Sequence, residues 1–358
     1  MSSIDGRIRS ASAAVLCAAL CLAVVPAFAA TWPGRAVEVP LREIPIRGPV
    51  ALSAAEISGM AWRADTLVIL PQDPLLFAEN DRLGIFWLTR DEVRAALEDE
   101  ARQPLEPHRV ECAAPGLVRI IRGFDGLEAV GFLGDRFYLT VEAKDDTAMA
   151  GYLLCGKHDG VLDEVRIDMT KLTAIPLGLN LPNIAEESLV VDGERILTIS
   201  EANGRAVNPA PRAKVFDAQI NYLGSLPFPH IEYRVTDATA LDDTGRFWVI
   251  NYFYPPEAGK LQVGSDPEVE RFGMPEGQDP LRGVERLLEL RLTADDEIVR
   301  TNTPPIYLER AADGECRNWE ALVRLGDGGF LLMTDKYPRT MLAFVPNPFR
   351  QPDKGDSR

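Results

Sequence analysis

The chain has 358 residues, 46% of them hydrophobic and 26% charged. That balance marks a soluble globular protein with a sizeable core and excludes a mainly disordered chain, a collagen-like repeat and a multi-span membrane protein. Acidic residues number 54 against 38 basic ones, a formal net charge of −16, which makes nucleic acid an unsuitable partner and leaves a cation-binding surface the better match.

Arg7 and Arg9 open the chain with positive charge, and an apolar run follows from Ala11 to Val25. Pro26 and the small-residue pattern Ala27-Phe28-Ala29 close it, which predicts a secretory signal peptide over residues 1–29. The run is shorter than the ~20 residues of a spanning helix. Leu16 and Leu20 precede Cys17 and Cys21 where a lipoprotein site needs a small residue. The expected mature protein is periplasmic or secreted, monomeric, and without a membrane span. Cys112, Cys155 and Cys316 then remain, too few for a disulfide scaffold, with Cys112–Cys155 the pairing expected if one bridge forms.

After an alternating, strand-like stretch at Ala36–Ile46, five segments repeat one plan. They run from Ser58 to Gln72, Glu128 to Glu142, Glu187 to Glu201, Asp237 to Asn251 and Glu320 to Asp335. Each holds two short runs rich in aromatic and β-branched residues around a Gly/Asp turn, the pattern of a β-hairpin. The first four share one length; the fifth is longer by a glycine at Gly328-Gly329. Further strand-like sequence follows each hairpin. It includes Gly84–Thr89 and Pro107–Cys112 after the first, and Ala213–Ile220 and Ile231–Val235 after the third. The predicted fold is therefore all-β, a β-propeller of four-stranded blades over residues 30–346. Five blades are counted, and a sixth could hide in the insertions. Ala36–Ile46 is expected to supply the fourth strand of the last blade and so close the ring. Thr89 and Glu92 make a capping box for a helix up to Arg102, and Phe253–Gly283, rich in Pro, Gly and charge, reads as a long loop or lid. Residues 347–358 are expected to be a disordered tail.

In a hairpin with a central turn, the first and last residues lie opposite each other. Glu128 is thus expected to face Glu142, Glu187 to face Glu201, Asp237 to face Asn251, and Glu320 to approach Asp335. With the first strand of each blade innermost, these groups ring one mouth of the central channel. Two readings follow. Either Glu128, Glu187, Asp237, Asn251 and Glu320 hold a hard cation such as Ca²⁺, or the carboxylates are structural, paired to backbone amides and to Arg or Lys. Lys144, Arg205, Lys336 and Arg339 fall in the same loops, and with Tyr252 they form a candidate site for a polyanionic or sugar-like ligand. Glu128, Glu187 and His230 are the candidate catalytic groups, His230 as a general base just ahead of the fourth hairpin. No nucleophile elbow and no phosphate-binding glycine loop occurs.

The segments Ile57-Ser58-Gly59-Met60-Ala61-Trp62, Glu201-Ala202-Asn203-Gly204, Tyr233-Arg234-Val235-Thr236-Asp237 and Asn318-Trp319-Glu320-Ala321 resemble a group of secreted bacterial propellers. That group is similar, more distantly, to esterase-like phytases and to gluconolactonase/regucalcin-type propellers. The resemblance implies metal-dependent hydrolysis of phosphoesters or lactones, with a divalent ion on Glu128 or Glu187, Asn251 and Asp237. A non-enzymatic propeller that binds a ligand or partner at the same mouth is the alternative.

Overall fold

The computed structural model describes residues 34–79, 82–99, 103–145, 148–158, 164–179 and 181–349. The expected signal peptide and the end of the expected tail lie outside these. Within them, hairpins follow one another as the repeat predicts. The first unit is Ile57–Arg63, Thr66–Pro71, Leu83–Thr89 and His108–Ala113; the second is Phe124–Leu133, Arg136–Asp145, Ala148–His158 and Glu164–Ile175. The third is Glu186–Asp192, Arg195–Ser200, Arg212–Asp217 and Tyr222–Pro227. Arg234–Ala238, Arg246–Phe253 and Val284–Leu292 build the fourth, with Ile298–Arg300 and Ile306–Leu308 both pairing onto its third strand. Trp319–Leu325, Gly329–Thr334 and Leu342–Pro346 build the fifth.

The first strands of these units pack in a closed ring. Ile57–Arg63 meets Phe124–Leu133, which meets Glu186–Asp192, then Arg234–Ala238, then Trp319–Leu325, and so back to the first. This is the β-propeller arrangement, with alternate residues of each strand packed between neighbouring sheets. The ring closes as expected but with a division. Arg42–Ile44 pairs antiparallel with Leu342–Pro346 and completes the last sheet. Val37–Val39 instead pairs parallel with Ile306–Leu308 in the fourth unit. Pro40 lies between them and has no amide hydrogen for a ladder, so the chain changes sheet there.

Two expectations about strands need correction. Ile231–Val235 is not the outer strand of the third unit; Tyr222–Pro227 is, and Arg234 already begins the fourth inner strand. The outer strands of the first two units also pair with each other in parallel, joining eight strands into one sheet. The helix predicted after Thr89 forms as α1, Arg90–Glu98, with both capping-box hydrogen bonds present. Short α2, Leu117–Ile120, precedes the second unit. Among residues 254–283 the chain folds into two further short helices, α3 (Ala258–Leu261) and α4 (Pro267–Phe272), flanked by 3₁₀ turns. Phe349 is buried in the core between the fourth and fifth units, so the tail begins later than Pro346.

The three cysteines carry free thiols, so the Cys112–Cys155 bridge does not form. Cys112 packs between the first and second units and Cys155 between the second and third, in separate core clusters. Among the described residues, no helix is long and apolar enough to cross a membrane.

Candidate functional site

All five inner strands are irregular at the same place. The register slips between Ile57 and Gly59, between Leu127 and Ala129, between Glu186 and Ser188, between Val235 and Ala238, and between Trp319 and Ala321. The residues at the slips include Ser58, Glu128, Glu187, Asp237 and Glu320, the residues that open the five repeats. A β-bulge leaves its extra residue outside the ladder and re-aims its side chain. The expected facing pairs are corrected accordingly. Gly126, not Glu128, stands opposite Glu142; Ser200 stands opposite Glu186; and Val235, not Asp237, stands opposite Asn251. Gly126 suits its position because a Cβ there would lie 2.4 Å from the Gln72 side chain and 2.8 Å from Glu128 Oε1.

The bulged residues divide into two kinds. Ser58 and Asp237 tie the ring together. Ser58 Oγ donates to the Leu127 carbonyl at 2.6 Å, crossing from the first unit to the second. Asp237 accepts the amides of Ala238 at 2.7 Å and Leu322 at 2.6 Å, and a third backbone amide, that of Met60. Asn251 is equally occupied. Its Nδ2 donates to the carbonyls of Glu232 and Arg234, and its Oδ1 accepts from Arg286 Nε at 2.8 Å. The polar atoms of Asp237 and Asn251, expected as metal ligands, are thus engaged by backbone groups and by Arg286 in this structure.

Glu128, Glu187 and Glu320 belong to the second kind. Glu187 and Glu320 gather with Glu142, Glu201 and Asp335 about one guanidinium, Arg234, at the first position of the fourth inner strand, and Glu128 adjoins Glu142, Glu187 and Glu320. Arg234 Nη2 lies 3.3 Å from Glu187 Oε1 and 3.8 Å from Glu320 Oε1, and Nε contacts Glu201 Oε1. Tyr252 is buried with its ring centre 6.0 Å from the same guanidinium. From α3 and the 3₁₀ turn before it, Glu257 comes within 3.7 Å of Arg234, and Lys260 pairs with Glu257 at 3.0 Å. The insertion thus covers this end of the channel. Two contacts anchor it: the buried pair of Asp266 with Arg286, at 2.7 Å, and Glu232, which accepts the amides of Arg205 and Gly264.

Negative charge exceeds positive charge in this cluster, and the carboxyl groups respond by holding protons. Burial pushes Glu128 well above the usual carboxylate range, and the charges of Glu142, Glu187 and Glu320 push the same way. Burial, then the Glu187 charge, raise Glu142 to about 7. Burial also raises Glu187 to about 7, although Arg234 pulls it down. Glu320 is held well above its ordinary value by burial and by Asp335, and burial raises Asp335 too. Several buried oxygens find no hydrogen-bond partner among the described residues, notably Glu142 Oε1, Glu187 Oε2 and Asp335 Oδ1.

The expected basic cradle does not assemble. Lys144 and Arg205 are exposed. Lys336 pairs with Glu56 at 3.0 Å and Arg339 with Glu43 at 2.7 Å, each at the surface. Of that set Tyr252 joins the cluster, and Lys336 bears on it through its charge on Asp335 and Glu320. His230 meets the Pro209 carbonyl at 3.2 Å and is paired with no carboxylate of the cluster among the described residues. Arg234 is the central residue that sequence reasoning passed over, although it stands in the quoted Tyr233-Arg234-Val235. An arginine at the head of a fully buried inner strand, three residues before Asp237, is the feature that marks it. Hard-cation chemistry suits the oxygen donors present. No three His, Cys, Asp or Glu side chains converge as a ready-made metal centre among the described residues.

The sequence matches no known protein family and no curated protein. Solved structures with partial likeness include a glycosyl hydrolase from Bacteroides ovatus, with TM-score 0.47 and 10% identity over 87% of this chain and 94% of that one. Another belongs to the GH130 family of mannoside phosphorylases, whose glycoside hydrolases target β-1,2 mannosidic linkages in Candida mannan. Its TM-score is 0.46 and its identity 9%, over 88% of this chain and 92% of that one. A third is the soluble aldose sugar dehydrogenase from Escherichia coli, with TM-score 0.42 and 12% identity over 86% and 99% of the two chains. The expected kinship with phytases and gluconolactonase/regucalcin-type propellers finds no support in these three. At such scores nothing about activity carries across, and the propeller rests on its own sheet topology.

Proposed function

We propose that the protein is a hydrolase of carboxylic esters or lactones, acting outside the cytoplasm at the bulged end of its channel. One observation carries this reading. Glu142 and Glu187 are buried beside Arg234, each has an unpartnered oxygen, and both titrate near neutrality. An acid–base pair working near pH 7 needs carboxyl groups raised this way. Glu187, paired to Arg234, is the group better kept ionised, and it would take the proton from an attacking water. Water adds to the acyl carbon, and Arg234 stabilises the oxyanion that forms. The acyl–oxygen bond then breaks, and the proton of Glu142 goes to the departing alkoxide. Glu128, held protonated and hydrogen-bonded to Gln72, stays neutral and keeps the pair from facing a further charge. The excess of carboxyl groups disfavours a phosphoester dianion, so neutral acyl substrates are preferred to the phosphoesters.

A second reading is favoured by the same free oxygens. A divalent cation, with Ca²⁺ the natural choice for all-oxygen ligation, would draw together Glu128, Glu142 and Glu187 and displace their protons. The test is turnover of p-nitrophenyl acetate, a δ-lactone and p-nitrophenyl phosphate by the wild type, Glu187→Gln and Glu142→Gln, with chelator and with added Ca²⁺. The acid–base reading expects ester or lactone turnover that survives chelation and falls roughly 10²-fold or more in either variant. Turnover abolished by chelator supports the cation. No turnover of any substrate contradicts both and leaves a ligand-binding propeller.

A further inference from the structure

A second surface feature lies far from the carboxyl cluster in sequence and opposite to it in charge. It is an open groove of about 880 Å³ where the outer strand of the first unit runs into α2. Its apolar wall includes Leu75, Leu83, Ala114, Leu117 and Val118. Leu83, Ala114 and Leu117 are buried members of the core beneath, so the floor is fixed. Val118 is 48% exposed and Leu75 40%, and neighbouring Leu76 and Ile120 are also exposed, so the rim is apolar as well. Contiguous exposed apolar surface of this kind marks a contact site.

The charge around the groove is what selects an occupant. Three arginines, Arg82, Arg119 and Arg166, line it, and no Asp or Glu does among the described residues. This occurs on a chain of net charge −16. Arg82 pairs with Glu111 at 3.4 Å. Arg119 has no carboxylate within ion-pair distance among the described residues. Gly116, at φ 77°, turns the chain so that a Cβ there would lie 3.1 Å from Arg119 Nη2. The glycine therefore leaves room for the guanidinium beside the groove.

We infer that this groove binds a single-chain amphiphile with an anionic head, a fatty carboxylate. The acyl chain lies on the apolar floor, and the carboxylate pairs with Arg119, the fork geometry that a guanidinium offers an oxyanion. The volume falls in the range of sites that enclose small ligands, roughly 300–1,000 Å³. A membrane surface fits less well, because the acidic body of the protein would be repelled by anionic lipid.

The test is calorimetric titration of the full-length protein with dodecanoate below its micelle threshold. Butanoate has the same head without the chain, and dodecyltrimethylammonium has the chain with the opposite charge. Dodecanoate is expected to saturate at one per chain, with both other probes at least about tenfold weaker. Arg119→Gln should weaken dodecanoate by about tenfold, and Val118→Asp should abolish binding. Both residues are on the surface, so an unchanged melting temperature shows that each variant folds. Equal binding of the cationic probe, no effect of Arg119→Gln, or non-saturable uptake would overturn the proposal. Vesicles of anionic lipid binding where dodecanoate does not would overturn it in favour of a membrane contact.

Discussion

Arg234 and Glu187 form a buried ion pair, Nη2 to Oε1 at 3.3 Å, and the same guanidinium also faces Glu201, Glu257 and Glu320. One cation of the fourth unit therefore stabilises carboxylates from the third and fifth units and from the insertion. Removing it while the carboxylates stay buried leaves uncompensated charge, which costs about 3–5 kcal/mol for a single broken pair. Arg234→Gln should destabilise the fold by that order at pH 8 and by less at pH 5, where the carboxyl groups take up protons. Urea unfolding at the two pH values checks this, and an equal loss at both would count against the account.

Glu142 and Glu187 also set the pH dependence of the wild type. Both have folded pKa values near 7, against an ordinary 4.5. The folded state therefore holds more protons than the unfolded chain between those values, and stability falls as pH rises. Their stabilising effect is complete below about pH 4.5 and gone above about pH 7, an order of 3 kcal/mol at most for each group. Glu142→Gln should flatten that decline and raise stability at pH 8. A profile that instead climbs from pH 5 to pH 8 in wild type and variant alike would contradict it.

Ca²⁺ offers an independent probe of the same oxygens. A cation that binds only the folded protein raises the melting temperature in a concentration-dependent way. If it occupies Glu142 and Glu187, the rise should be larger at pH 8 than at pH 5, where protons compete, and Glu142→Gln should reduce it. A shift insensitive to both pH and Glu142 would place any bound ion elsewhere.

The insertion should behave as a separately anchored unit. Asp266 caps α4 and holds Arg286, which is fully buried. Asp266→Asn removes the counter-charge, so amide exchange should quicken over residues 255–283 while the inner strands keep their protection. Uniform loss of protection over the whole ring would show that the cover is not separable.

The thiols provide a simple check on the fold. Burial raises the Cys112 thiol to about 12. It should resist alkylation in the native protein, and reducing agent should leave the melting temperature unchanged. A reductant-sensitive melting temperature would indicate a disulfide that this fold does not contain.

The hairpins were legible because each repeat carries its own turn and apolar alternation, from Ser58-Gly59 through Glu320-Ala321. Closure of the ring by Arg42–Ile44 was legible for the same reason. The bulges were not, because a residue outside the ladder leaves the spacing of a repeat unaltered. Equal spacing of Glu128 and Glu142 therefore suggested direct facing, whereas Gly126 takes that place. The basic groups were misplaced because nearness in sequence says little about direction: Lys336 and Arg339 turn outward to Glu56 and Glu43. Arg234 and Lys260 supply the positive charge instead, one from a strand head and one from the insertion. Pairing across that distance depends on how the insertion folds back.

The most direct measurement is a carboxyl-carbon NMR titration of the folded protein with Glu142→Gln and Glu187→Gln for assignment. Two side chains titrating near pH 7, one lost in each variant, are the predicted result and would establish the acid–base pair. Ordinary values near 4.5 for both residues would mean that their charge is fully met within the fold, and the proposed chemistry would fall with it.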